Sequence, residues 1–294
     1  MPILTAVLML ILALFLTLSE WEKVQLVKKE YRVETSKCGR KTFVFISDLH
    51  DYLPARHTPE KILDMIDSAS PDAVLIGGDM ITVSRKMKPG GVADTAATIR
   101  LIKMIAEKYP VYYGEGNHES RYLEKNSSAY AEYVAELLKA GVKYLADLSE
   151  DFDDVGISAV TLPDECFEPM LFKQKEKIKL PENFLREKLG ENDGKKFSIL
   201  LMHSPRYLKE ASGYGADLVL SGHMHGGTVR LPDGSGLMTP QYQFFVKECS
   251  GEFTDGKTKM IVNRGLGTHS VKVRINDLPE ISVIYVEGND KLQA

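Results

Sequence analysis

The 294-residue sequence contains few cysteines and no excess of basic residues, and each shortage argues against a class of protein. Its three cysteines, Cys38, Cys166 and Cys249, lie far apart, so they form neither a paired disulfide framework nor a CxxC metal site. The formal net charge is -4, whereas binding to nucleic acid normally requires a clustered basic face. We therefore expect reduced thiols, and no nucleic-acid partner is evident.

Long apolar runs are also scarce. The longest uncharged apolar run lies near the N-terminus. Residues 3–18 carry no charge. At a helical rise of ~1.5 Å per residue they span about 24 Å, somewhat less than the roughly 30 Å of a hydrocarbon core. A removed signal peptide would need a basic start and a small-residue cleavage site, but the start has no basic residue and residues 17–19 are only a marginal match.

We therefore predict a membrane anchor over residues 1–22, with a cleaved signal peptide as the alternative. Positive charges that follow the run favour a cytoplasmic body by the positive-inside rule. They are Lys23, Lys28, Lys29 and Arg32.

Beyond a linker at residues 23–41, patterns typical of strands and helices alternate along the chain. Helices are predicted to begin at Thr58, with Pro59 in the first helical position, and to extend over residues 93–108 and 128–140. This alternation predicts a sheet with right-handed crossovers that is covered by helices.

The C-terminal third has strand patterns at residues 228–231, 260–263 and 281–286, between turns that contain glycine. These strands predict a second sheet. We expect one domain over residues 42–287 and a short tail at residues 288–294. The lysine-rich residues 163–196 are interpreted as a solvated surface segment, with a lid over the site as the alternative.

Five of the seven histidines lie in short motifs, and each motif follows a run with the pattern of a buried strand. Open α/β sheets build their sites at the carboxyl ends of such strands. Carboxylate, imidazole and carboxamide groups without a thiolate suit divalent ions such as Mn²⁺, Fe²⁺ or Zn²⁺ rather than a structural zinc. The motifs are Asp48-Leu49-His50, Gly77-Gly78-Asp79, Gly116-Asn117-His118-Glu119, Met202-His203-Ser204 and Gly222-His223-Met224-His225.

In this order the motifs resemble those of the calcineurin-like metallophosphoesterases, whose pattern is DxH, GD, GNH[DE], H and GHxH. The resemblance covers about residues 42–287 and implies an α/β fold of two facing mixed β-sheets flanked by helices, to which the N-terminal hydrophobic helix is added. It also implies two divalent metal ions, with Mn²⁺ expected and Fe or Zn as alternatives.

Carried over by position, the resemblance implies a role for each polar residue of the motifs. His118 would bind no metal and would act as the general acid near the leaving-group oxygen. One ion would be bound by Asp48, His50 and His225, the other by Asn117, His203 and His223, and Asp79 would bridge both.

Two departures from the family pattern bear on the expected activity, and the first argues against a protein-phosphatase role. The arginines that Ser/Thr protein phosphatases carry after GD and before GNHE are missing. Thr82 replaces the Asp that commonly orients the catalytic histidine.

The segments around Arg264 and Arg274, together with the apolar N-terminus, look like a membrane-associated bacterial branch of the family. That branch includes enzymes that cleave the pyrophosphate of a UDP-linked diacylglucosamine. Whether either arginine contacts substrate or only supports a turn is left open.

We therefore expect a two-metal phosphoester hydrolase whose substrate is a small or lipid-linked phosphodiester or diphosphate. Two ions can clamp phosphoryl oxygens and activate water for in-line attack. A broad-range phosphomonoesterase is one alternative. A catalytically silent, metal-stabilised module that binds a partner at the membrane is the alternative from a different class.

Overall fold

The computed structural model describes residues 2–53, 58–168, 177–268 and 271–288. Within these ranges the chain forms seven α-helices, two six-stranded sheets and one small hairpin. The helices are α1 (Pro2–Lys23), α2 (Pro59–Asp67), α3 (Ala96–Ala106), α4 (Asn117–Lys125), α5 (Ser127–Lys139), α6 (Phe184–Leu189) and α7 (Leu208–Tyr214). Short 3₁₀ helices are Asp164–Phe167, Pro205–Tyr207 and His225–Gly227.

The strands divide between two mixed sheets. In the order of hydrogen bonding, the first sheet consists of β1 (Val27–Glu34), β14 (Glu280–Glu287), β2 (Lys41–Ile46), β3 (Ala73–Ile76), β4 (Val111–Gly114) and β5 (Lys143–Leu145). The second consists of β12 (Gly251–Asp255), β13 (Thr258–Val262), β9 (Leu218–Ser221), β8 (Phe197–Met202), β7 (Val155–Val160) and β6 (Leu148–Phe152). The hairpin pairs β10 (Gly236–Met238) with β11 (Phe244–Val246).

Parallel pairing dominates the centre of each sheet. Strands β2 to β5 are parallel to one another, and so are β7, β8, β9 and β13. The carboxyl ends of the central strands in one sheet therefore lie along one edge. The predicted helix at Thr58 is confirmed: the Thr58 side chain accepts a hydrogen bond from the Lys61 N–H, and Pro59 occupies the first turn of α2.

One apolar core lies between the sheets and two more lie outside them, so the predicted sandwich is confirmed. Between the sheets, Phe45 and Leu75 of the first pack in one cluster with Ile199 and Leu220 of the second. A second cluster joins the first sheet to α2, α3 and α5. A third joins the second sheet to α6 and α7. Each sheet thus buries both faces.

Three features differ from the sequence prediction. Residues 228–231 form no strand and contribute only isolated bridges, Val229 to Ile275 and Arg230 to Gly236. The last strand, β14, joins the first sheet and not the second. The predicted linker at residues 23–41 contains β1, which pairs in parallel with β14. Periodicity shows that a segment is extended, but the partner of a strand depends on contacts far along the chain.

Helix α1 has two parts with different surroundings. Ile3–Lys23 is long and apolar enough to cross a membrane, and its apolar part is exposed. Its last turn is buried against the loop before β14. Ser19 Oγ accepts a hydrogen bond from the Arg274 N–H at 3.0 Å, and a Glu22 carboxylate oxygen accepts one from the Asp277 N–H at 2.9 Å.

The predicted surface segment or lid at residues 163–196 is only partly described. Residues 169–176 lie outside the described residues, and α6 lies in the remainder. Residues 289–294 of the predicted tail also lie outside.

Candidate metal centre

All five motifs follow the carboxyl ends of their strands and meet where the two sheets face each other. Asp48 follows β2, Asp79 follows β3, and Asn117 begins α4 after β4. From the second sheet, His203 follows β8 and His223 follows β9. Each sheet therefore supplies part of the same site. All seven predicted ligand residues are buried.

The structure brings Asp48, His50 and His225 together as one candidate ligand group. Ligand atoms of these three lie within 4.8 Å of one another. The Nε2 atoms of His50 and His225 are 2.9 Å apart, and Asp48 Oδ1 lies 3.4 Å from His225 Nε2. This is the set that the resemblance implies for the first ion.

A second group contains Asp79, His203 and His223, again within 4.8 Å. His203 Nε2 lies 3.1 Å from Asp79 Oδ2. Asn117 Oδ1 and His223 Nε2 are buried and have no hydrogen-bond partner within the described part of the chain. Buried polar atoms are normally paired, so these two fit ligands of an ion. Asp79 also belongs to a third group with His50 and His118, which places it between the first two.

The backbone of the site is held in an unfavourable conformation. Five of the seven predicted ligand residues have φ between 45° and 67°, where residues other than glycine are uncommon. Such strain persists only where the surroundings enforce it, and it clusters at functional sites. These residues are Asp48, His50, Asp79, His223 and His225.

Two glycines allow the carboxylates to approach the backbone closely. A Cβ atom at Gly116 would lie 2.2 Å from Asp79 Oδ1, and one at Gly222 would lie 2.2 Å from Asp48 Oδ2. A side chain at either position would therefore displace a predicted ligand. This close approach explains glycine at these two positions.

The pKa values of the two histidines beside Asp79 diverge. Burial opposes protonation of His203, but the carboxylates of Asp79 and Asp48 outweigh burial and raise the pKa of His203 to about 10. Burial, with repulsion from His203, lowers the pKa of His223 to about 3. One imidazolium thus lies beside two buried carboxylates and balances the charge of one of them. A metal ion bound there would replace that proton, so binding would release it to solvent.

Sequence reasoning gave no separate role to Glu119, which holds two of the motifs together. Its buried carboxylate accepts hydrogen bonds from the N–H groups of Asp79, Met80 and Gly116 at 2.8, 2.9 and 3.0 Å. The Tyr113 hydroxyl donates another at 2.7 Å. Burial, with the charge of Asp79, raises the pKa of Glu119 to about 7. The position of Glu119 at the end of the GNHE motif is the sequence feature from which a role could have been predicted.

His118 lies beside the ligand groups, with its ring oriented by the backbone. The Val83 N–H donates to His118 Nδ1 at 2.7 Å, so a neutral ring carries its proton on Nε2. That Nε2 atom lies 3.8 Å from Asp79 Oδ2. Thr82 does not take over the orienting role, because its hydroxyl donates to the His50 carbonyl at 2.9 Å.

A cavity of about 380 Å³ opens above these residues, and its walls differ in charge. His118, Asp79, Asn117, His50, His223 and His225 form its floor. One wall, here the cationic wall, consists of Ser84, Arg85, Lys86 and Arg121. The remaining lining residues carry no charge and are Phe167, Pro240, Gln241 and Tyr242.

Arg274 supports the site from behind rather than lining this cavity. Its side chain is buried, and its guanidinium donates to the carbonyls of Gly265 and Gly267 at 3.0 and 2.6 Å. The Gly267 N–H in turn donates to the Asp48 carbonyl at 2.8 Å. Of the two roles left open for Arg274, the turn-supporting one matches these contacts. Arg264 pairs with Glu280 at 3.2 Å.

Comparison with known proteins places these motifs in a wider context. The family model described as "Calcineurin-like phosphoesterase" matches residues 41–227. Among curated proteins, "Uncharacterized metallophosphoesterase YkuE" of Bacillus subtilis is 38% identical over 32% of this chain and 32% of its own length. "Uncharacterized protein YpbG" of the same organism is 25% identical over 84% of this chain and 81% of its own.

Similar solved structures include a 5'-nucleotidase precursor from Thermus thermophilus, with a TM-score of 0.44 and 12% identity. That match covers 84% of this chain and 54% of the nucleotidase. The chain therefore spans about half of that structure and matches about a third of the length of YkuE.

Proposed function

The chain belongs to the calcineurin-like phosphoesterase family, and from that premise we propose that it is a metal-dependent phosphoester hydrolase. Its proposed substrate is a small or lipid-linked phosphodiester or diphosphate. The observation that supports this most directly is the pair of buried ligand groups that share Asp79 at the floor of an open cavity. A silent binding module would have no need of strained ligands beneath a cavity.

The residues present fit two ions. In the proposed arrangement Asp48, His50 and His225 would hold one, Asn117, His203 and His223 would hold the other, and Asp79 would be shared by both. Two divalent ions, for which Mn²⁺ is the expected identity, supply charge neutralisation at the phosphoryl oxygens and an activated water. The Glu119 carboxylate holds the Asp79 segment against the segment before Asn117, because it accepts hydrogen bonds from the backbone of both.

We assign the protonation of the leaving group to His118. Because Val83 donates to Nδ1, the proton sits on Nε2, and His118 is part of the cavity floor. A hydrogen bond from Nε2–H to the leaving oxygen stabilises the charge that develops as the P–O bond breaks. Fixing the tautomer through the backbone replaces the missing carboxylate partner.

The proposed location is the membrane surface. The exposed apolar part of α1 suits a bilayer, and the basic residues after it favour a cytoplasmic body. Since β1 pairs with β14, we propose that the catalytic domain begins at Val27 rather than at residue 42. A tether of this kind keeps the cavity near lipid-linked head groups.

The proposal is tested with full-length protein that has been stripped of metal and reloaded with Mn²⁺, Fe²⁺ or Zn²⁺. Hydrolysis of bis(4-nitrophenyl) phosphate, 4-nitrophenyl phosphate and a nucleoside diphosphate sugar is then compared. We expect metal-dependent turnover that favours the diester or the diphosphate. Preference for the monoester would support a phosphomonoesterase instead. No turnover of any substrate with any of the three ions would contradict a hydrolase.

A further inference from the structure

The cationic wall carries more positive charge than its own carboxylate can neutralise. Arg85, Lys86 and Arg121 all line the cavity, and one carboxylate, Asp164, pairs with both arginines. In the described part of the chain Lys86 forms no ion pair, and its side chain is exposed. Glu124 also interacts with both arginines but is itself paired with Lys125, so positive charge remains in excess here. The uncharged lining residues add none.

The two arginines of the wall are held in place by hydrogen bonds and ion pairs. Arg121 is buried, donates to the Val83 carbonyl at 2.7 Å and pairs with Asp164 at 2.6 Å. Arg85 pairs with the same carboxylate at 2.5 Å and donates to the Asp164 carbonyl at 3.0 Å. A guanidinium fixed in advance loses little freedom when it binds an anion.

The cationic wall lies next to the segment that orients His118. Val83, whose N–H orients His118, immediately precedes Ser84 and Arg85. The wall therefore follows directly on the residue that orients His118, the proposed general acid. Among the uncharged lining residues, the ring of Phe167 packs against that of His223, with centroids 4.8 Å apart.

We propose that Arg85 and Lys86 form a subsite for a leaving group that is itself a phosphate, so that the preferred substrate is a diphosphate. This inference rests on the proposed function. Water adds its oxygen to one phosphorus, and the bridging P–O bond breaks with its electron pair passing to the bridging oxygen. That oxygen leaves as part of the second phosphate, whose charge the two cations stabilise. Such a leaving group needs little help from His118.

The experiment uses two substrates that share the attacked group and differ in the leaving group. UDP-glucose releases a sugar phosphate from its uridylyl group, and the 4-nitrophenyl ester of uridine monophosphate releases nitrophenolate. Arg85→Ala, Lys86→Ala, Lys86→Arg and the double Arg85→Ala, Lys86→Ala variant are compared with the wild type in the Mn²⁺-loaded full chain. Lys88→Ala is the matched control, because Lys88 is an exposed lysine two residues on that does not line the cavity.

Loss of a charged hydrogen bond to the departing phosphate should lower kcat/KM for UDP-glucose about 10- to 100-fold. The loss on the nitrophenyl ester should be at least about tenfold smaller, and Lys86→Arg should recover most of the activity on UDP-glucose. Lys88→Ala should match the wild type on both substrates. Equal losses on the two substrates would overturn the subsite while leaving the hydrolase proposal intact. Failure of the wild type on both substrates would instead count against the hydrolase itself.

Discussion

Two buried polar clusters are linked through Gly267, which hydrogen-bonds both Arg274 and the Asp48 carbonyl, and they differ in the cation that faces their carboxylates. In the metal cluster, defined as the seven predicted ligand residues, the cation is an imidazolium between Asp48 and Asp79. In the arginine cluster, defined as Arg274, Asp277, Ser19 and Glu22, it is a guanidinium.

The difference decides what each cluster can bind. An imidazole gives up its proton and then offers a lone pair to a metal ion, whereas a guanidinium stays charged and offers none. The metal cluster can therefore exchange a proton for a divalent ion. The arginine cluster keeps its cation and holds the end of α1 against the Asp48 loop. Burial of charge alone therefore does not identify a metal site; the residues must also offer lone pairs to an ion.

The largest expected effect comes from removing the carboxylate that both ligand groups share. Asp79→Ala should lower both metal content and turnover to near background, because each proposed ion loses a ligand. Elemental analysis and hydrolysis of a nitrophenyl diester measure the two effects on the same preparation. An Asp79→Ala protein that kept both ions would show that Asp79 is not a bridging ligand.

His118→Ala should separate chemistry from metal binding within the same cluster. Both ions should remain, and turnover on substrates with poor leaving groups should fall on the order of 10²- to 10⁴-fold. Substrates with a nitrophenolate leaving group should lose much less, because that group departs without a proton. The comparison requires rates on one alkyl and one nitrophenyl diester, and an equal loss on both would refute the assignment.

Arg274→Met tests the other cluster through stability. It leaves Asp277 buried without its partner, which should lower the free energy of unfolding by about 3–5 kcal/mol. Arg100→Met is the matched control, since Arg100 pairs with Glu60 on the surface and should contribute at most about 1 kcal/mol. Urea denaturation of the metal-free proteins gives both values. Similar small losses would mean that the buried pair is not a structural brace.

The smallest effect concerns the two parts of α1. Deleting residues 1–18 should move the protein to the soluble fraction with little loss of stability, since those residues are exposed. Deleting residues 1–23 also removes the hydrogen bonds of Ser19 and Glu22 and should cost about 2 kcal/mol more. Thermal unfolding of the two truncated proteins measures the difference. Equal stabilities would show that the last turn of α1 is not part of the folded body.

The motifs at the strand ends could be predicted from the sequence, because a strand and the residues that follow it are adjacent in the chain. The meeting of Asp48 with His225, or of Asp79 with His203, followed from the motif order of a family. The arginine cluster could not be predicted, because Arg274 contacts Ser19 across 255 positions of the chain. The pairing of β14 with β1 and β2 was missed for the same reason.

The orientation of His118 by a backbone N–H also could not be predicted from the sequence. Thr82 stands where the family commonly has the orienting Asp, and a main-chain donor such as the Val83 N–H carries no signature in residue type. Likewise, no sequence motif marks Arg85 or Lys86, and their position at the cavity follows only from the fold.

The central claim is that the chain holds two metal ions in one shared site, and the most direct measurement is the number of ions bound per chain. Full-length protein loaded with Mn²⁺ and freed of excess metal by gel filtration is analysed by inductively coupled plasma mass spectrometry against the protein concentration. The account predicts close to two ions per chain for the wild type and for Arg100→Met. A fully loaded wild-type protein with one ion, or with none, would contradict it.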